Sequence, residues 1–120
     1  MQEYLLLIRT EGNPWEVLSP DEQQKHVAKA TSYINNLVQN GTLKGAQPLE
    51  LEGRIISNNK GAWKDGPFNE SKEVIAGYFL IQANSLDEAI TIAKANPIYE
   101  DQLNARIEVR PVKIVDGVNV

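Results

Sequence analysis

One aspartate and one histidine carry most of the chemistry this chain could do. Asp65 stands in the run Lys64 Asp65 Gly66 Pro67 Phe68 Asn69 Glu70 Ser71 Lys72 Glu73, where an Asp-Gly turn signal and a proline precede the apolar stretch Val74 to Ala83. A turn that ends against buried strands can hold a carboxylate half out of water, which raises its pKa toward acid–base work. The plainer alternative is the side-chain hydrogen bond that Asp-Gly turns favour. His26 is the only histidine. It falls on the border of a helical apolar stripe, with Ala30, Tyr33 and Leu37 beneath it at helical spacing. There it is either a half-exposed bystander or an imidazole that reaches a cleft and trades a proton with a carboxylate.

Other groups are weaker candidates. Glu70 and Glu73 could join Asp65 as oxygen ligands for a hard cation, but their spacing matches no cation-binding loop. With one histidine and no cysteine, disulfide scaffolds, thiolate and multi-histidine metal sites and cysteine nucleophiles are unsupported, and no metal or cofactor is expected. Arg106 and Arg110 flank Glu108 on one strand face, placed to clamp a carboxylate or to form ordinary salt bridges. The glycines form no phosphate-cradling loop, and no serine has a nucleophile-elbow context.

At 120 residues the length fits a single domain over residues 1–120 with one core. A net charge of −4, with lysines and arginines scattered, argues against nucleic acid as a direct partner. The amino-terminal run lacks a basic region and a cleavage pattern, and no apolar stretch is long enough to cross a bilayer. The expectation is a cytoplasmic protein without a membrane partner.

The elements that must position these residues are legible from their periodicity and punctuation. Tyr4 to Ile8 is a short continuous apolar run, the pattern of a central strand. Ser19, Pro20 and Glu22 open a helix with an N-cap, a proline at its first position and a capping box. Its stripe is read as Val27, Ala30, Ile34, Leu37 and Val38, and Asn40 Gly41 ends it. From Leu43 to Trp63 short apolar pieces predict a small antiparallel meander, with Arg54–Ser57 and Gly61–Lys64 as a hairpin. Val74 to Ala83 is a second buried strand, in which Gly77 marks a bulge or a close backbone approach.

Ser85 and Glu88 then suggest a second capping box, with Leu86, Ala89, Ile90 and Ala93 as the stripe, and Asn96 Pro97 stops that helix. Ala105 to Arg110 alternates cleanly as a last strand, which Val112 to Val115 either extends or follows with an edge strand. The order predicts an α+β ferredoxin-like sandwich, βαββαβ with an extra hairpin. Two helices cover only one sheet face. The runs at Tyr4–Ile8 and Tyr78–Ile81 are apolar on both, so a face-to-face homodimer is expected.

Asp65 Gly66 Pro67 Phe68, followed by Glu70, Lys72, Glu73 and Gly77, resembles the signature of the DGPF-domain branch of the YCII-related proteins. The resemblance continues through Leu18 Ser19 Pro20, Leu43 after the Gly41 cap, Gly77 Tyr78 Phe79 Leu80 Ile81, Leu86 Asp87 Glu88 Ala89, Pro97 and Val109 Arg110 Pro111 Val112. It implies a ferredoxin-like dimeric α/β barrel and a small enzyme with a His–Asp pair, related in fold to muconolactone-type isomerases, dehalogenases and small monooxygenases. The family histidine lies about where Ala30 stands, one turn beyond His26, and Lys64 replaces the usual threonine. Some members of the branch are fused to or found beside sigma factors, which implies an accessory or regulatory role as the alternative.

Together these readings point to a homodimer that binds an unidentified small molecule, with lyase- or hydrolase-type acid–base chemistry as one outcome. The expected cleft is walled by Asp65 to Glu73. Asp65 and His26 are the catalytic candidates, and Gly66, Pro67, Phe68, Glu70, Lys72, Tyr78 and Arg110 the ligand contacts.

Overall fold

The computed structural model describes residues 1–67, 73–100 and 104–120. Strand β1 (Gln2–Glu11) is followed by helix α1 (Pro20–Gln39), β2 (Leu43–Pro48), the hairpin strands β3 (Arg54–Asn59) and β4 (Ala62–Pro67), β5 (Glu73–Ala83), helix α2 (Leu86–Lys94) and β6 (Arg106–Pro111). The main sheet has the order β2-β5-β1-β6 with antiparallel neighbours. With the hairpin set aside, that is the ferredoxin-like arrangement the element order predicts. The expected meander does not form. β2 pairs with β5 rather than β3, and β3–β4 makes a separate two-stranded sheet.

Strand register decides which residues meet the helices. Tyr4, Leu6, Ile8 and Thr10 of β1 are buried, and Tyr4 and Leu6 join Ile81, Ala83, Ala89 and Ala93 in one core. Ile8 and Ile98 form a second cluster, flanked by Leu18, Ala76 and Phe79. The alternate residues Leu5 and Leu7 pair with Leu80 and Tyr78 and are only half-buried. They belong to the sheet face that neither helix covers.

Local chemistry fixes the element ends. Ser19 Oγ accepts from Glu22 N at 3.2 Å while the Glu22 carboxylate accepts from Ser19 N at 3.0 Å, closing the first capping box. Only half of the second box forms. Ser85 Oγ accepts from Glu88 N at 3.1 Å, but the Glu88 carboxylate takes Asn84 Nδ2 at 3.3 Å. Gly41 follows the α1 cap at φ +70°.

At Gly77 both sequence expectations hold. Register slips between Ile8/Gly77 and Arg9/Ile75, leaving Ala76 as the extra residue of a bulge. A Cβ at Gly77 would lie 2.9 Å from the Gln47 carbonyl oxygen, so a side chain there would push β2 off β5.

The hairpin turns at Lys60–Gly61, both with positive φ (52° and 87°), and Asn58 Oδ1 accepts from Gly61 N at 2.9 Å. Asp65–Gly66 is therefore not the turn. It lies within β4, opposite Ile56 and Ile55. Every residue of β3 is exposed, and Trp63 of β4 is 74% exposed. The radius of gyration of 16.3 Å exceeds the roughly 14 Å of a compact chain this long, consistent with a projecting arm.

Candidate functional site

Helix α1 is held to the rest of the fold mainly at its carboxy-terminal half. Leu37 is its one fully buried residue. Tyr33 touches the Phe79 ring (centroids 5.7 Å apart), and its hydroxyl donates to the Ile92 carbonyl at 2.6 Å, tying α1 to the end of α2. These anchors set the rotation of the helix. Its inward side carries His26, Ala30, Tyr33, Ile34 and Leu37, while Val27 and Val38, expected in the stripe, are 51% and 57% exposed. His26, half-buried, lines the space between helix and sheet together with Ala30, Tyr33, Ile34 and the more exposed Val27.

Small residues on both sides of that contact leave it unfilled. Ala30 on the helix faces Ala46 of β2 and Ala76 and Gly77 of β5, and the space between is a cavity of about 370 Å³. Ile8 and Phe79 complete the sheet wall, and Asn96 and Ile98 close one end. Trp15 also lines the space, its ring nearly perpendicular to that of His26 with centroids 5.7 Å apart. The segment carrying Trp15 is fastened at both sides. Asn13 Oδ1 accepts from Trp15 N at 3.0 Å, and Gln23 Nε2 of α1 donates to the carbonyls of Trp15 and Leu18.

The polar groups of this cavity differ in availability. The Asn96 side chain accepts from Ile98 N at 2.9 Å, so its carbonyl is engaged in the turn after α2. Burial, reinforced by the nearby Tyr99, pushes the Tyr33 hydroxyl from 10.0 up to about 12. Tyr33 thus stays protonated at physiological pH and acts as a hydrogen-bond donor to the fold, not as a base. The same shift makes a stability claim. A group whose folded pKa is raised contributes stability that is complete below its unfolded value and is lost as pH climbs, here between about 10 and about 12. Tyr33→Phe is expected to cost about 1–2 kcal/mol at pH 7 by orphaning the Ile92 carbonyl. Its urea-unfolding stability should approach that of the wild type between pH 10 and 12. A stability gap that did not shrink there would contradict the assignment.

The other residues singled out by the sequence lie elsewhere. Asp65 is on the hairpin, half exposed, with Arg54 Nη1 donating to its Oδ2 at 3.4 Å; it does not line the cavity. Gly66 and the backbone of Pro67 continue β4 beside it. Tyr78 and Arg110 occupy the uncovered sheet face, opposite Leu7 and Leu5. Phe68, Glu70 and Lys72 lie outside the described residues. One chain therefore brings His26, but not Asp65, Tyr78 or Arg110, to the cavity.

The arginine pair resolves into a ladder of ion pairs across that uncovered face. Glu108 accepts from Arg9 Nε at 3.0 Å and lies 3.7 Å from Arg110 Nε, while Arg106 bonds Glu73. Among the described residues no group of three or more His, Asp or Glu side chains is placed to hold a metal ion, and no helix is long and apolar enough to cross a membrane.

Sequence reasoning marked Ala30 only as the position of the family histidine, and it missed Ala46, Ala76, Phe79 and Ile98 as parts of a site. Their signal is a cluster of small residues on facing elements, which becomes visible only once α1 is docked.

Comparison with known proteins agrees with the fold. The 5-chloro-2-hydroxyhydroquinone dehydrochlorinase (TftG) from Burkholderia phenoliruptrix AC1100, solved in complex with 2,5-dihydroxybenzoquinone, superimposes with a TM-score of 0.56 at 15% identity. The match covers 92% of this chain and 93% of that one, and it establishes a shared fold. No curated protein matches the sequence. The family model of the YCII-related domain matches residues 3–113, nearly the whole chain, and this protein belongs to the YCII-related family.

Proposed function

We propose that this protein binds a small molecule in the cavity beneath α1 and performs acid–base chemistry of the lyase or hydrolase type there through His26. The observation that carries the reading is the cavity itself. Its volume of about 370 Å³ lies in the range of small-ligand sites, and among the described residues that line it His26 supplies an imidazole, the side chain most often used for proton transfer. The family resemblance puts a histidine where Ala30 stands. Ala30 and His26 are one helical turn apart, about 6 Å, and line the same wall, so the displaced imidazole still serves the same space. The dehydrochlorinase with this fold supports an elimination chemistry, in which a base removes a proton as a leaving group departs.

The test is a panel of substituted ring compounds, chlorinated hydroxyhydroquinones included, followed by chloride release. Wild type is expected to turn over at least one, and His26→Gln to lower kcat/KM by roughly 100-fold or more. Binding without turnover on any compound would remove the chemical half of the reading and leave a binding protein.

The same proposal includes a homodimer. Two surfaces lack cover within one chain: the hairpin face carrying Ile56, Trp63 and Asp65, and the sheet face carrying Leu5, Leu7, Tyr78 and Leu80. A lone two-stranded hairpin is marginal in water, so the arm needs a receptor. A second copy supplies one reciprocally, because a two-fold pair offers each arm and each open face to the other. The arginines of the open face, Arg9, Arg106 and Arg110, already pair with glutamates of the same face, which lets two such faces approach without unmatched charge. An Asp65 that reached a cavity would do so from the arm of the second copy. The exposed Asp65–Arg54 pair also favours a second reading, an accessory module that uses the arm to contact another protein.

A further inference from the structure

We propose that the cavity beneath α1 selects an uncharged, flat molecule about the size of one substituted ring, with a single polar group directed at His26, and that it rejects carboxylates and phosphates. The inference rests on the reading of that cavity as the ligand site and adds the class of ligand.

Charge selectivity follows from what lines the space. Among the described residues the walls contain no lysine, arginine, aspartate or glutamate. An anion moved from water into this space therefore finds no lysine or arginine to neutralise it. A cation in the cavity meets no carboxylate among the described lining residues. The Tyr33 hydroxyl proton is committed to the Ile92 carbonyl and the Asn96 carbonyl to Ile98 N, and the polar groups that remain, the Asn96 amide nitrogen, Thr31 and Gln47, are neutral and cannot cancel a ligand's charge. The ion pairs of the open sheet face belong to the other side of the sheet and offer no compensation.

Size and shape follow from the small residues that create the gap. An apolar cavity of about 150 Å³ accommodates benzene. The present space of about 370 Å³ admits a ring with substituents or a fused pair. It is a slot between two layers, floored by Ala76 and Phe79 and roofed by Ala30 and Ile34. The aromatic rings of Phe79, Tyr33 and Trp15 in the lining suit a flat π-system, and His26 stands beside Trp15 to meet its polar substituent.

Three isosteric probes separate charge from shape: benzamide, benzoate and benzamidinium, titrated into the full-length protein at pH 8. The readouts are the imidazole NMR signal of His26, unambiguous in a chain with one histidine, and the methyl signals of Ala30 and Ala76. The expected result is saturable movement of all three signals with benzamide, and dissociation constants at least tenfold weaker for both ions. Benzoate or benzamidinium binding as tightly as benzamide, with the same signals moving, would overturn the charge selectivity while leaving the cavity as a ligand site. If none of the three probes moves those signals, the cavity reading and this inference fail together. Ala30→Leu serves as a control for shape: it should weaken benzamide while leaving the melting temperature unchanged or higher, and full retention of benzamide binding would overturn the slot geometry.

Discussion

Trp63→Asp is expected to turn the protein from a dimer into a monomer at micromolar concentration. Trp63 and Ile56 share the hairpin face that one chain leaves bare, with Asp65 directly opposite Ile56. A tryptophan anchoring an interface is commonly worth about 2–4 kcal/mol, and an unpaired carboxylate in its place adds a desolvation cost, so the dimer constant should weaken by roughly 1,000-fold. The chain itself should still fold, because Trp63 is exposed within it and contributes to neither core cluster. Sedimentation at several concentrations reads the mass, and circular dichroism reads the fold. Wild-type protein that sediments as a monomer at tens of micromolar would contradict the dimer, and a Trp63→Asp variant that keeps a dimeric wild-type mass would contradict the place of the hairpin arm in its interface.

The second large effect concerns the slot. Ala30→Phe is expected to abolish ligand binding, by roughly 100-fold or more, without destabilising the chain. The new ring would occupy space that is already empty, between Ala46, Ala76 and Phe79, so it buries apolar area without displacing packed atoms. Its modest helix-propensity cost of about half a kcal/mol is smaller than that gain. A raised or unchanged melting temperature together with lost ligand-induced stabilisation is the expected pair of results. Retained binding would place the ligand elsewhere in the molecule. Wild-type binding in Ala30→Leu as well would make the same point with a smaller side chain, should the phenylalanine variant fold poorly.

Much of the fold is written locally in the sequence. The Ser19–Glu22 capping box and the glycine at 41 each declare a helix end within a few residues, and the alternation Ile107, Val109 against Arg106, Glu108, Arg110 declares a strand with its faces assigned. Gly77 is legible because a glycine inside an apolar strand has few reasons to be there. What depends on distant contacts is less legible. Asp65–Gly66 carries a turn signal as strong as Lys60–Gly61, but the Asn58 side chain and two consecutive positive φ angles fix the turn at the earlier pair. Five residues later Asp65 is simply in a strand.

The rotation of α1 was open for a similar reason. Ala30, Ile34 and Leu37 fit a stripe completed by either Val27 and Val38 or His26 and Tyr33, and periodicity weighs the valines more heavily. The Tyr33 hydroxyl decides for the second by reaching the Ile92 carbonyl, a partner 59 residues away. The cavity inherits this: no window of sequence shows that Ala30 will face Ala76. The motif that best identifies the family, around Asp65, and the residue that faces the cavity, His26, lie on different parts of one chain. In the dimer proposed above, a second copy would join them.

The most direct measurement is a crystal structure of the protein with 4-bromophenol, located by the anomalous signal of its bromine. The expected result is a peak between Ala30 and Phe79, with the phenol oxygen about 3 Å from an imidazole nitrogen of His26. A bromine found only outside that cavity, with the slot empty at full occupancy elsewhere, would contradict the assignment of the site.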